Sequence, residues 1–242
     1  MNATEKTEHL DMRETGAPKD GASQKSERRL YLQLHAFGNC ANPNRLVGAL
    51  RDCGLESVLY RDLNDPQGVG VLFFAESPDT LVGEVREFLA HEPFASLPRK
   101  PEMTMVGRTY ATGHEPDLED WLLTKPRRNA RNPDWPWAVW YPLRRKPAFA
   151  RLPGEEQGKI LMAHAQLGRA YARDGYAYDI RLACYGLDVH DNDFLIGLVG
   201  PDLTPLSRVV QEMRKTRQTA EYIASLGPFF VGKAVWQSPV EI

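Results

Sequence analysis

The 242-residue sequence carries only three cysteines, Cys40, Cys53 and Cys184, far apart and with no Cys-x-x-Cys spacing. That pattern signals neither a disulfide framework nor a zinc site and fits a reducing, cytoplasmic setting. No apolar run approaches the roughly 20 residues of a membrane-spanning helix. The first residues lack the apolar core of a secretory leader. Neither sign of charge dominates: Lys and Arg total 30, Asp and Glu 32, for a net charge of -2. Nucleic acid and anionic membranes therefore have no electrostatic claim as partners. Basic runs exist at Arg127-Arg128 and Arg144-Arg145-Lys146, but they are short and suit local anion sites or solvated faces. Large apolar residues are scarce over residues 1–28, a polar stretch of mixed charge that reads as a disordered tail.

The whole sequence is 42% hydrophobic, enough for a proper core. Leu30, Leu32 and Leu34 alternate with polar neighbours as in a strand. Pro43 opens a helix that Gly54 stops. Residues 57–63 and 69–75 read as strands, Ser77-Pro78-Asp79 starts a second helix, and 103–110 form a fourth strand. A connector over 112–134 holds a short helical piece at 118–123. The order then recurs: a strand at 137–143, a helix at 153–173, strands at 178–185 and 194–199, a helix at 205–224 and a strand at 229–236. Strand–helix–strand–strand–helix–strand is the ferredoxin-like split unit, present twice. The expected fold is α+β, with halves at 29–111 and 135–242 pairing their sheets into a dimeric α+β barrel within one chain.

The helix at 153–173 is the stretch best suited to chemistry. Pro153, Glu155 and Glu156 suit its first turn, and Arg169 and Arg173 its last. Ile160, Leu161, His164, Leu167, Gly168 and Tyr171 share one face, apolar except for the imidazole. Gly168, one turn beyond His164, leaves room for a flat group such as an iron porphyrin, with His164 as the iron ligand. A core histidine bonded to backbone, and a glycine there for close packing, are the competing reading.

Three Trp and a Tyr crowd 135–141, and on a strand Trp137, Val139 and Tyr141 share a face. Such a face can wall an apolar ligand while the basic residues beyond hold its carboxylates; core aromatics beside a solvated turn explain it equally well. The turn Asp188–Asp193, with His190, fits no EF-hand spacing and is ordinary Asx turn chemistry.

Several separated motifs, in order, resemble the chlorite dismutase and coproheme decarboxylase superfamily: Trp140-Tyr141-Pro142-Leu143-Arg144-Arg145, Met162-Ala163-His164-Ala165-Gln166-Leu167-Gly168-Arg169, Tyr185-Gly186-Leu187-Asp188, Glu212-Met213-Arg214 and Gly227-Pro228-Phe229-Phe230-Val231-Gly232. The resemblance implies a haem or iron coproporphyrin held by His164 in the C-terminal half, in a homopentamer. It implies Tyr141 beside a propionate as relay of the oxidation, and a basic residue four positions on, where Arg145 stands with Lys146 next to it. An upstream arginine for a propionate lands on Arg127 or Arg128; Trp140, Gly168 and Met213 fall among the porphyrin contacts. Asp179 takes the position facing the open side of the iron. Chlorite dismutases have arginine there and coproheme decarboxylases glutamine or histidine, so chlorite chemistry is disfavoured. An alternative turns Tyr178 or Tyr176 inward and Asp179 to solvent. The implied activity is oxidative decarboxylation of coproheme by hydrogen peroxide to haem b. A haem b peroxidase and a haem-binding protein without turnover are the alternatives.

Overall fold

A computed structural model describes residues 10–240. After a short hairpin, β1 (Glu14–Thr15) and β2 (Lys25–Ser26), the N-terminal half runs β3 (Tyr31–Phe37), α1 (Pro43–Cys53), β4 (Ser57–Asp62) and β5 (Val69–Ala75). It continues through α2 (Pro78–Thr80), a π-helical segment Leu81–Val85, α3 (Arg86–Leu89) and β6 (Met105–Arg108). The connector carries a second π-helical segment, Asp120–Thr124, and α4 (Lys125–Ala130). The C-terminal half is β7 (Trp137–Arg145), α5 (Gly154–Arg173), β8 (Tyr178–Ala183), β9 (Phe194–Gly200), α6 (Leu203–Met213), α7 (Arg217–Tyr222), β10 (Ile223–Leu226) and β11 (Phe230–Gln237).

The fold is α+β, with the split unit present twice. The antiparallel sheet runs β10-β7-β11-β4-β5-β3-β6-β8-β9 and closes because β9 pairs back onto β7. The halves join through the long β11–β4 ladder on one side and through Arg108 opposite Ala183 on the other. Closure sends alternate residues of each strand to a lumen or to an outer face. The lumen is packed with apolar side chains, among them Leu32, Leu72, Trp140, Leu182, Leu195 and Phe230.

The outer faces of the two halves differ. On the N-terminal half, α1 buries Leu46 and Leu50 against Phe37, Phe73 and Phe94, and Phe88 fills between the rings. On the C-terminal half the 20-residue α5 has one buried residue, Ile160. Its predicted stripe is otherwise half-buried, packed on β8, α6 and α7. The second half thus carries a long helix that its sheet does not fully seal.

Two expectations need correction. The expected tail 1–28 lies outside the described residues over 1–9. Over 10–28 it is a hairpin tied down by polar groups. Glu14 accepts from Arg29 (3.0 Å), Arg108 (3.0 Å) and the Ala111 N–H (2.9 Å). The Gln24 side chain donates to the Glu115 and Pro116 carbonyls and accepts from the Leu118 N–H. A polar composition announces poor burial, but it says nothing about directed hydrogen bonds to a connector about 90 residues away. The helix expected at 205–224 is broken into α6 and α7, with β10 occupying its expected end. The break is a tight turn in which Lys215 N–H donates to Glu212 and Thr216 N–H to Met213; no glycine or proline announces it.

Candidate functional site

Strand alternation on the C-terminal half decides which side chains can meet α5. Tyr141 pairs across the sheet with Ile196, and Ile196 with Arg181; Val139 pairs with Leu198, and Leu198 with Asp179. These six lie on the outer face, which α5 covers over β8 and α6 covers over β7 and β9. Asp179 is therefore on the helix side and forms an ion pair with Arg181 at 2.9 Å. Tyr178 turns the other way and stacks on Trp135 at 3.7 Å.

His164 is half-buried on α5, its Nδ1 3.1 Å from the Thr216 hydroxyl. Desolvation, helped by the positive charges of Arg181 and Arg145 and opposed by Asp179, lowers its pKa to about 4. The ring is thus a neutral imidazole at neutral pH, the form that binds metals. One turn along, Gly168 faces Met213, whose Cε lies 3.4 Å from the place a Cβ on Gly168 would occupy.

Tyr141 is 8% exposed and stacks on Phe229, ring centroids 4.7 Å apart. Desolvation first, then the Asp179 charge, raises its pKa, so the phenol keeps its proton. Arg145 holds its guanidinium over Phe149 (4.8 Å) and Phe194 (4.6 Å). Its buried Nε has no hydrogen-bond partner among the described residues, a costly state for a charged donor.

Four predicted contacts are not brought here. Trp140 points into the lumen, fully buried, because it alternates with Val139 and Tyr141. Arg127 is engaged by Glu56 at 2.8 Å and Glu76 at 3.3 Å, and Arg128 pairs with Asp120 at 2.9 Å. Lys146 lies beyond the end of β7, exposed. The residue the connector does contribute is Lys125, 4.3 Å above the Trp121 ring, which Arg181 also approaches at 5.3 Å. Burial lowers the Lys125 pKa, while Asp179 raises it. Tyr110, half-buried near Arg181 and Arg145, completes the group. Signals for these existed: Arg181 lies two residues from Asp179 on one strand, and Lys125 one helical turn from Trp121. Thr216 gave none, since it follows from the unannounced break between α6 and α7.

The arrangement combines a neutral imidazole on a half-buried apolar stripe, a protonated phenol, and three cations, Arg145, Arg181 and Lys125, with Asp179 paired to Arg181 and Asp193 accepting the Arg145 backbone N–H at 2.6 Å. A flat apolar group bearing a Lewis-acidic metal and several carboxylates matches that donor set. The Asp188 carboxylate, by contrast, is engaged in its own turn, accepting from the His190 and Asn192 N–H groups at 3.1 Å each.

The family model for Chlorite dismutase matches residues 71–235. The chain belongs to the chlorite dismutase family. A Halobacterium salinarum protein named as a candidate heme-binding protein is 34% identical over 105 residues, covering 42% of this chain and 20% of that protein. The chain thus matches about a fifth of that relative's length. Among solved structures, a heme-binding protein from Thermus thermophilus superposes with TM-score 0.68 at 22% identity, over 86% of this chain and 92% of that one. The chlorite dismutase from Candidatus Nitrospira defluvii bound to imidazole gives TM-score 0.66 at 13% identity, over 86% and 92%. At such identities these structures establish a shared fold. In this family member, no helix among the described residues is long and apolar enough to cross a membrane.

Proposed function

We propose that this chlorite dismutase family member binds an iron porphyrin through His164 and decarboxylates iron coproporphyrin III with hydrogen peroxide, yielding haem b. The observation that carries the reading is the neutral imidazole of His164 on the half-buried face of α5, within electrostatic reach of Arg145, Arg181 and Asp179, beside an outer sheet face bearing Tyr141. The names of the relatives from Halobacterium salinarum and Thermus thermophilus agree with a haem ligand.

Each propionate gives up carbon dioxide and becomes a vinyl, a two-electron oxidation. One hydrogen peroxide accepts those electrons with two protons and leaves as two waters. The iron supplies the redox chemistry once the porphyrin is bound; the chain supplies placement and proton handling. Arg145, Lys125 and Arg181 hold carboxylates, and Arg181 shares its charge with Asp179 where Arg145 does not. Asp179 is the proton acceptor for peroxide, and its negative charge disfavours anionic oxidants such as chlorite. Tyr141, kept protonated by burial, passes the oxidation to a propionate by giving up and regaining its phenolic hydrogen. Assembly into a homopentamer belongs to the same reading and is checked by light scattering.

The test is stoichiometric coproheme titrated with hydrogen peroxide, read by mass spectrometry. The expected products are lighter by carbon dioxide and two hydrogens at one and then two propionates. Unchanged coproheme removes the decarboxylase reading. Co-purified haem b turning over peroxide with an electron donor would replace it with a peroxidase.

A further inference from the structure

Thr216 stands at the N-cap of α7, yet its hydroxyl caps no backbone N–H of that helix. It lies instead 3.1 Å from Nδ1 of His164 and donates to the Met213 carbonyl at 2.7 Å. The carbonyl has a second lone pair beside the one that takes the Thr216 N–H at 3.0 Å, and at 2.7 Å it is a nearer acceptor for the hydroxyl proton than Nδ1 at 3.1 Å. The Thr219 hydroxyl, at 3.4 Å, is too distant to compete for it. With that proton on the Met213 carbonyl, the Thr216 oxygen is an acceptor towards His164, which places the imidazole proton on Nδ1. Nε2 keeps its lone pair and has no hydrogen-bond partner among the described residues. Met213 secures the arrangement twice, through its carbonyl to Thr216 and through its methyl against Gly168.

We propose that Thr216 is a positioning residue for His164: it accepts from Nδ1–H, selects the tautomer with a free Nε2, and, being uncharged, leaves the ring a neutral donor. A carboxylate at the same place would draw the ring towards imidazolate and strengthen its push on a metal. The functional sense of this inference rests on His164 as iron ligand, but the tautomer itself does not require the metal.

The experiment uses the full chain without porphyrin, labelled with nitrogen-15, and long-range proton–nitrogen NMR of the histidine rings. The His164 signals are assigned by their loss in His164→Gln. The wild-type ring is expected to be protonated at Nδ1 and bare at Nε2. Thr216→Val should move it to the Nε2–H form that free histidine prefers in water, and Thr216→Ser should restore it. In the ferrous porphyrin complex, the iron–histidine stretch of Thr216→Val should fall to lower wavenumber, with recovery in Thr216→Ser. Porphyrin affinity of the valine variant should drop about tenfold. A wild-type ring protonated at Nε2, or a valine variant with an unchanged tautomer, overturns the proposal. Should the NMR results hold while no iron–histidine stretch is found, the functional reading of His164 falls and the ring's positioning by Thr216 stands.

Discussion

Trp140 and Tyr141 are adjacent in sequence and lie on opposite sides of the barrel wall. Trp140 fills the lumen so tightly against Gly197 that a Cβ there would collide with its six-membered ring. Tyr141 lies outside, stacked on Phe229 in the cluster that α6 covers. One tryptophan sustains the barrel, while the next residue faces the proposed chemistry.

The Trp140 side has a measurable consequence. Trp140→Ala should cost roughly 3–5 kcal/mol of stability by emptying a large volume in the lumen. Porphyrin affinity per folded molecule should be unchanged, because the ring does not face α5. Denaturant unfolding together with porphyrin titration separates the two; a folded variant with weakened binding would place Trp140 at the site after all.

The Tyr141 side behaves in the opposite way. Tyr141→Phe keeps the ring and its stack on Phe229, so stability should change by less than about 1 kcal/mol. Coproheme should still bind, but no vinyl product should form with peroxide. Wild-type yield in this variant would remove Tyr141 from the reaction.

His164→Ala should abolish axial coordination and shift the Soret band of the bound porphyrin, with far-ultraviolet circular dichroism unchanged. The helix tolerates the loss because Ile160 and the half-buried Leu161, Leu167 and Tyr171 continue to hold its inner face. An unaltered Soret spectrum would assign the ligand elsewhere.

A pH effect should originate in the other half. Burial, aided by the Arg99 charge, lowers the His35 pKa from 6.5 to about 4. As pH falls through 6.5 the unfolded chain takes up a proton that the folded chain refuses until near 4. Stability is therefore complete above 6.5 and declines towards 4. His164 without a metal acts in the same direction. Replacing His35 by Gln should flatten this acid-side loss, by roughly 1–3 kcal/mol between about pH 7 and pH 4. Urea midpoints across that range measure it; identical slopes for both proteins would contradict the shift.

The sequence by itself determined the duplicated strand and helix order, the long helix with its lone imidazole, and the shared face of Trp137, Val139 and Tyr141. These follow from hydrophobic periods of about 2 and 3.6 residues, which are local properties of the chain. Which strands pair to close the expected barrel, and which cations stay at the site, were decided only in three dimensions. Arg127 and Arg145 are alike in sequence, yet Glu56 and Glu76 neutralise the first while the second has no ion pair among the described residues and lies above two phenylalanine rings. Thr216 meets His164 across 52 residues of chain only because α6 breaks where no residue signals a stop. Which charge remains free and which hydroxyl turns inward depend on partners distant in sequence, and periodicity within a segment carries no information about them.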